Sequence, residues 1–337
     1  MKLLIVTQKV DARDPIMGFF HRWLLEFAGR CESVVVLGLM TGEYDLPANI
    51  AVHSLGKERG KGKMRQILRF YRLLWKERKR YDAIFVHMTP VWVVLGWPVA
   101  AILRKPLYLW YEVRRGGRML RAAVLLSRKT FSATKDGLPF RSPKNLVLGH
   151  GIDTEAFAPD GKERDPDLLC TVGRLTRIKR HDFLLRAFAG LPAPYRFIIA
   201  GGTITPADET YREEIMRFVE GKGLRHRVAI QFYLHAELPA LYRRSVLFLH
   251  ASGGGLDKAL LEAMACGCPV LSLSQAASHS LPPRCHATED TFEEKMQLLL
   301  KLSPEERADL SGELRSIVVS SHSLPVLVER LVEEMSV

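Results

Sequence analysis

Arg174 and Lys179 stand five residues apart in TVGRLTRIKRHDFLLRAF, where an apolar run ends at Gly173 and an amphipathic pattern begins. A guanidinium offers a planar fork of donors to phosphate oxygens, and an ammonium offers a point charge. Together with the amides of a helix start, the two can hold a diphosphate. A basic surface turn is the plainer reading of that stretch alone. In RFIIAGGTITP a second apolar run ends in Gly201 and Gly202, where backbone can approach a ligand closely or simply turn. In a third stretch, VLFLHAS leads into Gly253, Gly254 and Gly255 and then into LDKALLEAMACGCPVLS. The helix expected from about Asp257 points its positive end back at those bare amides. Glu262 lies inside it, among Leu261, Ala263 and Met264. A carboxylate on an apolar face rarely stays buried without a partner. A ribose diol suits it, because a carboxylate accepts two hydrogen bonds; an arginine elsewhere in the chain is the other choice.

The elements that must position these residues follow from hydrophobic pattern. KLLIVT, SVVVLGL, AIFVHM, PLYLWY, KTFSAT and NLVLG read as strands, with helical patterns over 16–29, 64–80, 90–104 and 117–128 between them. The alternation restarts with LLCTVG, RFIIAGG, VAIQFY, VLFLHAS and PVLSLS, with helices over 179–189, 207–221, 237–243 and 257–266. Apolar, β-branched strands alternating with helices imply parallel sheets covered on both faces. Two such series imply two doubly wound domains. The join lies in the Gly-, Pro- and charge-rich segment 149–167, which gives domains over 1–150 and 151–321. The chain ends in helical patterns. Open parallel sheets bind ligands beyond the carboxyl ends of their strands, so the expected site is a cleft between the two domains.

Composition narrows the class. The chain has 337 residues, 47% hydrophobic and 26% charged, which fits two globular domains. Five scattered cysteines make no disulfide framework and read as reduced thiols of a cytoplasmic protein. The apolar run at the N-terminus is too short for a signal segment. The longest apolar run, 91–103, is too short to span a bilayer, holds a proline, and reads as a buried helix. Charge is uneven: residues 1–150 sum to +16 and the rest to −4. The run that opens at Lys57 and closes at Arg80 (57–80) holds 11 basic and two acidic residues. An anionic membrane surface is the favoured partner of that run, ahead of a solvated helix face or nucleic acid. There is no GxGxxG, P-loop, HExxH or GxSxG, so dinucleotide, NTPase, zinc-hydrolase and serine-hydrolase classes drop out, and no metal site is expected. The Asp-Pro-Asp at 165–167 reads as linker ahead of a strand.

GRLTRIKR, IIAGG and ALLEAMACGCPVLS, in this order and spacing, resemble the nucleotide-sugar-binding half of retaining glycosyltransferases of family 4 (GT4), with the GT-B fold of two Rossmann-like domains. GHGIDTEAFAPD resembles that family's interdomain segment, and TQKVDARDPIMGFFHRW the loop after its first strand. The resemblance implies a metal-independent enzyme with no cofactor beyond its co-substrate. It would move a sugar, with retention, from a UDP- or GDP-sugar to a hydroxyl of a glycan or polyprenyl- or lipid-linked acceptor. It implies donor contacts at Gly18, Gly173, Arg174, Lys179, Gly201, Gly202, Gly254, Gly255, Leu256, Asp257, Lys258 and Glu262. Arg174 and Lys179 would neutralise the leaving diphosphate. Glu262 matches the second Glu of the family's E-x7-E motif, and Gly254 stands where the first would be. A histidine that many members place after a first-domain strand is replaced around YLWYEVRRGG by Glu112, Val113 and Arg114; Glu112 and His87 are the acceptor-side candidates. The fold also implies a last helix, about 322–337, packing back on the first domain. Within the same fold, the alternatives are a catalytically impaired sugar-nucleotide-binding protein and a sugar-nucleotide epimerase. Peripheral attachment to the inner face of the membrane completes the reading.

Overall fold

The computed structural model describes residues 1–336 apart from Pro15 and Arg114. Two compact units emerge: Met1–Gly151 with Ser323–Val337, and Ile152–His322.

The first unit runs β1 (Lys2–Val10), α1 (Phe19–Arg30), β2 (Ser33–Thr41), β3 (Ile50–Ser54), α2 (Lys63–Lys76), β4 (Ala83–His87), α3 (Pro90–Ile102), β5 (Leu107–Trp110), α4 (Arg118–Leu126), β6 (Lys129–Ser132) and β7 (Asn145–Val147). All seven strands are parallel, in the order β3-β2-β1-β4-β5-β6-β7. Side chains alternate across a strand, and the core shows it. Leu3 and Ile5 of β1 join Val34, Val36 and Phe85 on one face, under α1. Leu4 and Val6 join Val35, Leu37 and Ile84 on the other, under α2, α3 and α4.

The second unit runs β8 (Asp165–Val172), α5 (His181–Ala189), β9 (Arg196–Ala200), α6 (Pro206–Gly221), β10 (Val228–Gln231), α7 (Leu238–Arg244), β11 (Ser245–His250), α8 (Lys258–Ala265), β12 (Val270–Ser272), α9 (Phe292–Leu300) and α10 (Pro304–His322). Its five strands are also parallel, in the order β10-β9-β8-β11-β12. After His322 the chain returns to the first unit as α11 (Leu324–Ser336), whose Leu324, Leu327, Val328 and Leu331 lie in the same core layer as α1.

Three details differ from the sequence reading. β3 was not anticipated; it is a short edge strand with a half-buried pattern, so its hydrophobic signal is weak. The Asp-Pro-Asp at 165–167 opens β8 rather than preceding it, and Asp165 pairs with Arg196 at 2.6 Å. The apolar run over 91–103, expected as a buried helix, is covered on one side only: Trp92, Val93, Gly96 and Ala100 are buried, and Val91, Trp97 and Ile102 are exposed.

Candidate functional site

Strand order decides which loops meet. In the second sheet the chain winds outward from β8 through β9 to β10, then returns to lay β11 on the other side of β8. That reversal leaves a crevice at the carboxyl ends of β8 and β11. The loop after β8 carries Gly173, Arg174 and, on a short 3-10 turn, Lys179. The loop after β11 carries residues 251–257. The two are tied directly, since the Gly253 amide donates to the Ile178 carbonyl at 3.0 Å.

Lys179 Nζ meets Asp257 Oδ2 at 2.5 Å, and His250 Nε2 meets the same oxygen at 2.8 Å. His250, buried at the end of β11, is braced through Nδ1 by Ser272 Oγ at 2.8 Å. Burial alone would raise the Asp257 carboxyl. The hydrogen bond from His250 and the charge of Lys179 outweigh it, holding the group well below the usual carboxylate range. Asp257 is the residue before α8, yet its side chain caps no amide there. Among the described residues, the amides of Gly255, Leu256 and Asp257 donate to no protein acceptor. Three free donors at the positive end of a helix form a cradle for an anion. Lys258 opens the helix itself. Arg174 is exposed and makes no ion pair among the described residues; its charge helps to lower the carboxyl of Asp208, which caps α6 from its first turn.

Glu262 is buried on α8, and its partners are not arginines. Oε1 lies 2.9 Å from His235 Nε2, and Oε2 accepts the Tyr242 hydroxyl at 3.4 Å. Burial opposes charge on His235, but the hydrogen bond and charge of Glu262 prevail and raise its pKa. At Gly201 the chain just past β9 comes close to the chain just past β8. A Cβ there would lie 1.9 Å from the Gly173 carbonyl oxygen, so no larger residue fits without moving backbone. Gly202 accepts the Leu175 amide at 3.0 Å. Gly254 is different: a Cβ there would meet nothing closer than Ser252 Oγ at 3.4 Å, which is ordinary contact.

The first sheet reverses between β1 and β4, bringing the loop after β1 beside His87. Lys9 Nζ holds that loop by Asp11 at 2.8 Å and Asp14 at 2.6 Å. Gly18 precedes α1, where a Cβ would lie 2.6 Å from the Asp14 carbonyl oxygen. His87 is buried, with Nδ1 3.3 Å from Thr7 Oγ1 and its ring stacked on Phe20 at 4.3 Å between centroids. Glu112 does structural work. Its carboxylate accepts the Ala133 amide at 2.6 Å, the Thr134 amide at 3.1 Å and the Thr134 hydroxyl at 2.7 Å. Arg114, which the sequence reading set beside it, lies outside the described residues.

The structure therefore gathers Gly173, Lys179, Gly255, Leu256 and Asp257 at one switch point, with Arg174 on the same loop and Glu262 further along the same helix. His87 and Gly18 lie at the switch point of the other unit, and Glu112 is committed to its fold. Sequence reasoning missed His235, Tyr242 and His250. Of these only His250 carried a signal, as a histidine ending the strand that feeds the glycine loop. Among the described residues, no group of three or more His, Cys, Asp or Glu is placed to hold a metal ion.

Residues 153–278 match the family model described as glycosyl transferases group 1. Curated proteins named D-inositol 3-phosphate glycosyltransferase, from Mycobacterium tuberculosis and Mycobacterium bovis, are 30% identical over 147 residues. That match takes in 40% of this chain, and the chain spans 30% of the length of those relatives. Among solved structures, the Anabaena protein HepE in complex with UDP superposes with a TM-score of 0.79 at 17% identity, over 100% of both chains. Sucrose-phosphate synthase from Thermosynechococcus elongatus gives 0.78 at 14% identity, over 99% of this chain and 98% of that one. The fold is that of GT-B glycosyltransferases, two Rossmann-like domains each built on a parallel sheet.

Proposed function

We propose that this chain is a glycosyltransferase that takes a nucleoside-diphosphate sugar at the β8–β11 crevice. The observation that carries the reading is the cradle itself: three consecutive unpartnered amides at the start of α8, with Lys179 and Arg174 on the facing loop. The match of residues 153–278 to a glycosyltransferase family supports it. UDP and UDP-glucose, with which the Anabaena neighbour was crystallised, favour uridine over guanosine as the donor base.

The chemistry follows from charge. The bond from the sugar's anomeric carbon to the diphosphate breaks, its electron pair leaves with the diphosphate, and positive charge develops on the ring. Donors aimed at the departing oxygens stabilise that transition state more than the ground state. Lys179 need not abandon Asp257, because an ammonium has three N–H groups and the carboxylate takes one. Arg174, which makes no ion pair among the described residues, closes the cationic side. With two cations and three amides on the diphosphate, the protein itself supplies the neutralisation for which other enzymes use a divalent ion. The acceptor hydroxyl then bonds to the anomeric carbon on the face the diphosphate left, giving retention, and its proton goes to the leaving phosphate. Glu262 holds the ribose diol. The acceptor is a glycan or lipid-linked hydroxyl, and the basic run 57–80 brings the protein to the anionic inner face of the membrane where such lipids reside.

Calorimetric titration of the full chain with UDP, GDP and ADP tests the donor site. Micromolar binding of UDP is expected, weakened about 10- to 100-fold by Glu262→Ala and by Arg174→Ala, each of which removes a charge-assisted hydrogen bond. A folded wild type that binds none of the three nucleotides sinks the proposal.

A further inference from the structure

α3 is a 13-residue helix, PVWVVLGWPVAAI, without a single charged or strongly polar side chain. One side packs on the sheet through Trp92, Val93, Gly96 and Ala100. The other side faces out: Trp97 is 44% and Ile102 71% exposed. A helix that faces water ordinarily carries its charges on that side. α3 packs between α2 and α4, on the same face of the sheet. Those neighbours extend the apolar surface with Leu68, 63% exposed, and Leu125, 74% exposed. Single exposed apolar residues need no explanation, but a chargeless helix face flanked by more of them marks an interaction site.

The charges beside this face say what covers it. On and just after α2, Lys63, Arg65, Arg72 and Lys79 have no carboxylate partner among the described residues. The two acidic residues of the run are spent locally, Glu58 on Ser54 and Glu77 on His53 and Arg80. Trp75 stands exposed on α2 with the Arg78 guanidinium 5.0 Å from its ring. An apolar strip edged by unneutralised cations and tryptophans matches the boundary between anionic headgroups and acyl chains. α3 is about 20 Å long, and no described helix is long and apolar enough to cross a membrane, so the fitting orientation is in the plane of the interface.

We propose that the α2–α3–α4 face of the first unit docks on an anionic lipid bilayer with α3 seated at acyl-chain depth and the α2 cations on the headgroups. This extends the membrane contact proposed above, which needs only electrostatic attraction, and it stands apart from the donor site. It places Trp97, Ile102 and Leu125 in lipid.

The test uses the full chain with vesicles of phosphatidylcholine alone and of phosphatidylcholine with phosphatidylglycerol, by flotation at low and high salt. Lipids brominated along the acyl chain report tryptophan depth. Preferential binding to the anionic vesicles is expected, with a salt-resistant fraction. Brominated lipid should quench part of the tryptophan emission, and Trp97→Phe should remove that part. The double variant Ile102→Asp, Leu125→Asp, altered only at surface positions, should partition at least about tenfold more weakly while keeping its circular dichroism. Lys63→Gln with Arg72→Gln should narrow the preference for anionic lipid. Binding that salt releases entirely, without acyl quenching, overturns the seating of α3 and leaves electrostatic contact. No binding to either vesicle overturns both. A dimer seen by light scattering, dissolved by the double aspartate variant, assigns the face to a second copy of the chain and overturns the proposal. UDP titration of the same preparations reads the donor site separately, so its failure is not confused with any of these.

Discussion

At the scale of residues, Glu262 shows why a buried charge is informative. A carboxylate inside an apolar helix must have a partner, and it has two, His235 and Tyr242. Neither could be read from the sequence, because His235 sits 27 residues upstream on a short turn and nothing periodic links the two. The pair makes a pH prediction. His235 has its pKa raised above the ordinary 6.5, so the folded state holds the proton more tightly than the unfolded chain does. That stabilisation is complete below the unfolded value and disappears as pH rises through the raised folded value. The melting temperature of the wild type should therefore fall relative to His235→Ala as pH rises from about 6.5 through the raised folded value. The effect is modest, because the imidazole is partly exposed and screened. Saturating UDP, by offering the ribose diol to the same carboxylate, should flatten the slope. Parallel pH profiles for the two proteins would mean that Glu262 does not govern the titration of His235. The Asp257 node was equally hidden: Lys179 was legible as a cation for phosphate, but not as one already balanced by a carboxylate 78 residues away.

At the scale of elements, the site depends on how closely the strands of the second sheet end beside one another. Gly173 donates to Ala200, and Gly201 donates to Gln231, which continues the ladders one residue past the strands. Gly201→Ala would drive a methyl group to 1.9 Å from the Gly173 carbonyl, backbone against backbone, where no side chain can yield. The expected cost is about 2 to 3 kcal/mol, seen as a lower urea midpoint, together with weaker UDP binding, since Arg174 follows Gly173 directly. An unchanged midpoint would show that the turn relaxes freely. The glycine pair was visible in the sequence, but its reason was not, since a tight turn and a close approach look alike there. The same limit explains α3. Its composition announced burial, yet hydropathy does not say which side a neighbour covers; only the packing of α2 and α4 leaves Trp97 and Ile102 outside. Buried parallel strands were legible because β-branched runs flanked by glycines have few other uses. β3 was not, because an edge strand needs only a half-buried pattern.

At the scale of the whole molecule, the chain makes two cores of its own, and the last helix belongs with the first 151 residues. α11 contributes Leu324, Leu327, Val328 and Leu331 to the layer that holds Trp23 and Phe27 of α1. Leu327 also packs at Gly151, a left-handed turn where a Cβ would come within 2.5 Å of its side chain. The first unit therefore cannot complete its core until α11 has been made, whereas the second is continuous from Ile152 to His322. Leu327→Ala should cost about 2 to 4 kcal/mol, because a fully buried leucine leaves a cavity that its neighbours fill only in part. Scanning calorimetry should resolve the consequence as two transitions, one per core. The variant should lower one of them by roughly 5 to 10 °C, given the size of each unit, and leave the other in place. UDP identifies the second unit by raising its transition through binding to the native state alone. If Leu327→Ala and UDP act on different transitions, the donor site and the C-terminal helix reside in separately stable parts of the chain. If both move a single transition, the two cores unfold as one block.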